Sequence, residues 1–501
     1  MSAGPDWAVH LPPGHQPDEV DLLAEVTLPR AWSRRFAADP GRAVLWEASR
    51  GWLRAGALDA ATRRVAVRFH RAGLRPGDRV LISAATSAAL VEAHVGALRL
   101  GLVVVPANTA YREREIAHLV ADARPRAAVV DDPERARWII RAAGAAGEAP
   151  LVVGPEVDLA DGPDVEVDTA APADPAIIAY TSGTTGAPKG AVLSHANLLA
   201  SSESVRLAWR WEAADRLVLA LPLFHIHGLG VGLHGTLLTG ASAVLLPGFD
   251  PDAVLDAAAL HDATLFFGVP TMYARLAASP RLGELARLRL CVSGSAPLPP
   301  ALFERLAEGS GQRILERYGT TETGMNVSNP HDGERRPGTV GFPLPGVELR
   351  LDDDGEILVR GANVFGGYWQ NPAGTAAAFE DGWFRTGDIG EFDADGYLRI
   401  VGRAKELIIT GGLNVYPREV EEVLLGHPAV AEVAVAGVPD EEWGEVVTAW
   451  VVPAGDPPAP EELLAHAADR LAGFKRPRAV HYVARLPRNA LGKVLRHELR
   501  P

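Results

Sequence analysis

Of the 49 lysine and arginine residues in this 501-residue chain, only Lys189, Lys405, Lys475 and Lys493 are lysine. A lysine ammonium is a compact, rotatable point charge, whereas a guanidinium is a wide planar fork. A chain this rich in arginine that keeps a lysine marks a narrow site between oxyanions. Two of the lysines close glycine-containing runs, Thr181-Ser-Gly-Thr-Thr-Gly-Ala-Pro-Lys189-Gly190 and Asn489-Ala-Leu-Gly-Lys493. The first run offers the hydroxyls of Thr181, Ser182, Thr184 and Thr185, the flexible Gly183 and one cation, a set suited to polyphosphate oxygens. It is not a Walker A loop. Its spacing departs from that motif, and Ala191-Val-Leu193 after it reads as a strand, so no helix dipole follows.

Other groups narrow the chemistry. Glu322 stands beside Thr321 in Tyr318-Gly-Thr-Thr-Glu322, a setting unlike that of an ordinary solvated surface carboxylate. The pair His225 and His227 has no second Cys/His cluster at ligand spacing, so zinc is not indicated. The single cysteine, Cys291, sits in an apolar run and reads as a small buried hydrophobe.

A net charge of −14 with scattered basic residues argues against nucleic acid or an anionic membrane as partner. No apolar run reaches the ~18 residues of a membrane span, and Met1 to His15 lacks a signal-peptide pattern. With one cysteine, a cytoplasmic location is expected.

These groups need elements to hold them. Strand-like runs at Arg79–Ser83, Leu102–Pro106 and Ala127–Asp131 alternate with helical spacing at Ala88–Leu100 and Glu113–Asp122. That βαβ rhythm predicts a parallel sheet covered by helices. A second series runs through Arg216–Pro222, Ser242–Leu246, Ala263–Gly268 and Arg289–Ser293. From about Gly346, short strands and Asp-Gly turns predict a small β-rich unit. An α+β segment follows, with helices at Pro417–Leu425 and Pro460–Leu471 and strands at Val430–Ala436 and Val446–Val452. The expected organisation is α/β: a large N-terminal domain of stacked βαβ sheets plus the β-rich unit over 1–402, then a small mobile α+β domain over 403–501.

The lysine loop, Tyr318 to Glu322, Thr386-Gly-Asp388, Gly402-Arg403, Gly411-Gly412 and Asn489 to Lys493 occur in one order across nearly the whole chain. In that order they resemble the adenylate-forming superfamily of acyl-CoA synthetases, luciferases and peptide-synthetase adenylation domains. Leu221-Pro-Leu-Phe-His-Ile-His-Gly228, Gly268 to Tyr273, Ser293-Gly-Ser-Ala-Pro297 and Thr321 to Asn326 look most like malonyl-CoA synthetases.

The resemblance implies an ATP- and Mg2+-dependent ligase that turns a carboxylic acid into acyl-AMP and then into the thioester of coenzyme A. It makes Lys493 the lysine that bridges the reacting carboxylate and the α-phosphate, and Glu322 the metal ligand. Thr181, Ser182, Gly183, Thr184, Thr185 and Lys189 would hold phosphates. Tyr318 would face adenine, and Asp388, assisted by Arg403, the ribose. Lys405 would be the hinge of the C-terminal domain, and Gly411 and Gly412 would line the pantetheine tunnel. His225, Arg289, Ser293, Gly294 and Met325 would form the acyl pocket, with Arg289 on the distal carboxylate of malonate or methylmalonate. A second arginine common in the family near Thr239–Ser242 does not stand there. The alternatives are a fatty or aromatic acid ligase, an enzyme loading a carrier-protein thiol, and a non-catalytic nucleotide-binding protein.

Overall fold

A computed structural model of the chain describes residues 7–144, 149–181, 188–410, 413–440, 443–489 and 492–500. The architecture is α/β, and contacts divide it into two compact units. The larger holds residues 7–349 and 359–384, the smaller 350–358 and 385–500.

Within the larger unit the two predicted βαβ series form two sheets. One has six strands among the described residues, in the spatial order Leu151–Val153, Ala127–Val130, Arg79–Ser83, Val103–Pro106, Pro175–Thr181, Lys189–Ser194. Its strands run parallel up to the last pair, Pro175–Thr181 with Lys189–Ser194, which is antiparallel and sets Thr181 opposite Lys189. The strand expected after the lysine loop is therefore present. The apolar faces of Glu113–Ala123 and Pro133–Gly144 bury Ile116, Leu119, Val120 and Ile139 against Leu81, Val105 and Ile178.

The other sheet has nine strands among the described residues. Its centre is parallel, with Leu265–Gly268 beside Leu290–Ser293 and that strand beside Leu315–Tyr318. Both edges are antiparallel, at Ala43–Glu47 with Gly51–Arg54 and at Leu315–Tyr318 with Val327–Ser328. The four strands of the second predicted series pair in parallel as the rhythm implies, and the antiparallel pairs come from strands outside that series.

Between Pro222 and Thr239 the chain takes a form the sequence pattern did not suggest. His227–Leu233 is a π-helical stretch whose wide turn is seen in the Val231 N–H to Ile226 carbonyl bond of 2.9 Å. Such insertions concentrate at functional sites.

In the smaller unit, Val430–Asp440 and Gly444–Pro453 form a long antiparallel pair, with Ala479–Tyr482 added in parallel. Helices Pro417–Leu425 and Pro460–Ala468 cover it, burying Val420, Leu424 and Leu463 against Val435, Val447 and Val451. Strands Val347–Leu351, Glu356–Gly361 and Leu398–Arg403 are short elements of the kind expected after Gly346, and the longer Trp383–Phe392, not expected, pairs with Leu398–Arg403. No described helix is long and apolar enough to cross a membrane.

Candidate active site

Lys189 begins its strand, paired antiparallel with Thr181. Ser182, Gly183, Thr184 and Thr185 lie outside the described residues. The segment Gly367–Trp369 pairs with the strand that begins at Lys189, through Val192 N–H to Gly367 O (3.1 Å) and Trp369 N–H to Gly190 O (2.7 Å). Gly190 permits this approach, since a Cβ there would meet Ile178 at 2.6 Å and Trp369 at 3.3 Å. The pairing fixes Tyr368. The Lys189 ammonium lies 5.1 Å from the centre of its ring, and its hydroxyl donates to Glu322 Oε1 at 3.0 Å. Burial and the Glu322 carboxylate both raise the Tyr368 phenol pKa, so it stays a donor at neutral pH. Tyr368 thus touches both Lys189 and Glu322. Sequence reading missed it because nothing in Gly367-Tyr368-Trp369 predicts pairing with a strand far away in the chain.

Among the described residues, no group of three His, Cys, Asp or Glu side chains could cage a metal ion. One hydrogen-bonded carboxylate, Glu322, fits Mg2+, which keeps most of its ligands from water and nucleotide phosphates. Tyr318 ends its strand, and Thr321 is half-buried in the loop between Tyr318 and Glu322.

Of the residues expected on the acyl side, His225, Ser293, Gly294 and Met325 lie at or beyond the C-terminal ends of parallel strands, where α/β sheets place ligands. Ser293 is fully buried at the end of its strand, and its hydroxyl has no partner. Register sets Ser293 beside Glu316, so Gly294 comes beside Arg317. A Cβ on Gly294 would sit 2.4 Å from Arg317 Cζ, so the guanidinium occupies the space that glycine leaves. Arg317 is 3 % exposed, and neither its Nε nor its Nη2 has a hydrogen-bond partner. Burial pushes its pKa down to about 9, and its charge is felt by both His225 and His227. Burial first, then Arg317, lowers His225 to about 4, so that imidazole is neutral. Its Nδ1 accepts the His227 backbone N–H at 3.2 Å. Met325 is buried, with its N–H on Ser201 Oγ at 3.1 Å.

Arg289 is placed otherwise. It precedes the strand Leu290–Ser293, at the end opposite Ser293. All five of its donors are matched: Nε and Nη2 by Asp215, Nη2 also by the Arg210 carbonyl, and Nη1 by the Trp209 carbonyl and His331. The structure does not bring it together with Ser293 and Gly294. Arg317 was not singled out in the sequence because one more arginine in an arginine-rich chain carries no signal until the register with Gly294 is known.

In the smaller unit, Asp388 lies opposite Arg403, whose Nε meets its Oδ1 at 2.9 Å. Asp388 is buried and Arg403 half-exposed. Lys493 closes a turn in which its N–H donates to Asn489 Oδ1 at 3.0 Å. Burial lowers its pKa, as do Arg403 and Arg496, while Glu406 and Asp388 oppose the shift. Lys493, Asp388 and Arg403 therefore share one charge cluster. Lys405 is exposed in the turn Ala404–Glu406. Gly411 and Gly412 lie outside the described residues.

Within the larger unit a lysine and a carboxylate meet through Tyr368, and Arg317 is buried with unpartnered donors; within the smaller unit Lys493 stands among charges. Residues 32–369 match the model of the AMP-binding enzyme family, and residues 419–493 match the AMP-binding enzyme C-terminal domain. A feruloyl-CoA synthase of Amycolatopsis is 40 % identical over 461 residues, covering 88 % of this chain and 92 % of that protein. A malonate–CoA ligase of Arabidopsis thaliana is 36 % identical over 476 residues, covering 85 % and 78 %. The crystal structure of ATP-bound MatB from Rhodopseudomonas palustris superposes with a TM-score of 0.89 at 40 % identity, covering 94 % of this chain and 98 % of that one. The chain belongs to the AMP-binding enzyme family and is an AMP-forming acid–thiol ligase that uses ATP and CoA.

Proposed function

We propose that this ligase acts on a small dicarboxylate, malonate or methylmalonate, with Mg2+ accompanying ATP. The observation that carries this reading is the buried Arg317, whose Nε and Nη2 find no partner in the protein. A buried guanidinium without an anion is costly, and a substrate carboxylate is the group that compensates it. The resemblance to a malonate–CoA ligase supports the same reading.

In the first half-reaction the substrate's reacting carboxylate attacks the α-phosphate of ATP and pyrophosphate departs. Two anions approach each other, so fixed positive charge lowers the barrier. Lys493 supplies it at the α-phosphate, while Lys189 holds the outer phosphates. Bound at Glu322, Mg2+ would neutralise phosphate charge. Tyr318 stacks on adenine, and Asp388 with Arg403 takes the ribose hydroxyls. Rotation about Lys405 then withdraws Lys493, and Gly411 and Gly412 admit the pantetheine chain, whose thiol displaces AMP. The single, buried Cys291 supports a reducing, cytoplasmic setting.

The 40 % identity to a feruloyl-CoA synthase makes an aromatic acid the rival substrate. Pyrophosphate release measured with malonate, methylmalonate, propionate, butyrate and ferulate separates the two. The dicarboxylates should give the highest kcat/KM, and a profile led by ferulate or butyrate would end the proposal.

A further inference from the structure

Next to Arg317 stands a second buried donor. His227, 2 % exposed, opens the π-helical stretch, and its Nε2 has no partner. Its Nδ1 lies 3.3 Å from Ser295 Oγ. Ser295 follows Gly294, over which the Arg317 guanidinium passes, and the Arg317 charge acts on His227. Ser295 has φ of +68°, a left-handed conformation that costs a residue other than glycine about 1 kcal/mol. Strain of this kind persists where the side chain has work to do. Either group can donate in this contact; with the Ser295 hydroxyl as donor, His227 Nδ1 is the acceptor. A neutral imidazole that accepts at Nδ1 carries its proton on Nε2. Burial, Arg317 and His225 all hold His227 neutral.

We infer that His227 is a specificity residue whose Nε2–H, in the tautomer set by Ser295, donates to the distal anionic group that Arg317 receives. The inference rests on the dicarboxylate reading above. Arginine alone matches any carboxylate through its fork. A third donor at an angle to that fork fixes the orientation of the anion, and with it which carboxylate is left to react. A substrate lacking the distal anion leaves these donors unpaired and is rejected.

The test compares His227→Phe, His227→Gln and Ser295→Gly by the ratio of kcat/KM for malonate to that for propionate, with melting temperatures alongside. His227→Phe should lower the ratio about tenfold, the order expected for one hydrogen bond to a charged group. His227→Gln, which keeps an N–H donor, should restore much of it. Ser295→Gly relieves the backbone and should melt no lower, yet the ratio should fall severalfold because the tautomer is no longer fixed. Malonate and propionate falling together in His227→Phe, with no rescue by glutamine, would make His227 structural and overturn the inference. If His227→Phe does not fold, the glutamine and Ser295→Gly arms decide: a ratio unmoved by Ser295→Gly overturns it. A wild-type enzyme without malonate preference instead defeats the dicarboxylate reading. A preference lost in Arg317→Met but kept in all three variants defeats only the role of His227.

Discussion

Replacing Arg317 with methionine removes the buried charge and keeps an unbranched side chain of similar reach. In the free enzyme the loss should be harmless or stabilising, because Nε and Nη2 are buried without partners and an apolar group at such a site avoids their desolvation. With malonate the balance reverses. Two charge-assisted hydrogen bonds at roughly 1.5–3 kcal/mol each, less the cost of stripping water from the carboxylate, leave about 2–4 kcal/mol. At 1.4 kcal/mol per decade that is a loss of about 30- to 700-fold in kcat/KM. Arg289→Met is the control. It leaves the 3 %-exposed Asp215 carboxylate without its bidentate partner, so it should cost about 3–5 kcal/mol of stability and shift all acids alike. The assay is pyrophosphate release with malonate and propionate, together with thermal melting of both variants. If Arg289→Met abolishes malonate selectivity and Arg317→Met spares it, the reasoning about orphaned donors is refuted.

Selectivity should also depend on pH. The Arg317 pKa, pushed down to about 9 by burial, means that its charge is present below that pH and lost above it; the malonate-to-propionate ratio of kcat/KM should therefore fall as pH rises through about 9, and a flat ratio up to pH 10 would count against it. Tyr368→Phe should raise the KM for Mg·ATP by about 3- to 10-fold through loss of its bond to Glu322, with the KM for the acid unmoved; equal shifts in both would refute a positioning role. Lys493→Ala should slow acyl-AMP formation by roughly 3–5 kcal/mol while thioester formation from supplied acyl-AMP survives, and loss of both half-reactions together would contradict its assignment to the first.

Elements whose residues announce them locally were legible in the sequence. Arg79–Ser83 and the helix Pro417–Leu425 occur with the boundaries expected from alternation and helical spacing. What depends on register was not. Arg317 becomes distinctive only once Gly294 lies beside it, and Tyr368 only once Gly367–Trp369 pairs with the strand starting at Lys189. Glycines suppress helix propensity, so Gly228-Leu-Gly-Val-Gly232 gives no local signal of its π-helical form. Here they admit close packing instead: a Cβ on Gly228 would meet the Pro222 carbonyl oxygen at 2.4 Å, and one on Gly232 would meet Leu219 at 2.8 Å. Arg289 drew attention by matching a family position, but its five donors are spent on Asp215, His331 and two carbonyls.

The central claim is that the acyl pocket selects an acid with a second negative charge. Its most direct test is a single reaction in which malonate, methylmalonate, propionate, butyrate and ferulate compete at equal concentration for limiting enzyme with ATP, Mg2+ and CoA, the thioesters being counted by mass. Malonyl-CoA or methylmalonyl-CoA should dominate the early product. Feruloyl-CoA or butyryl-CoA in the lead would contradict it.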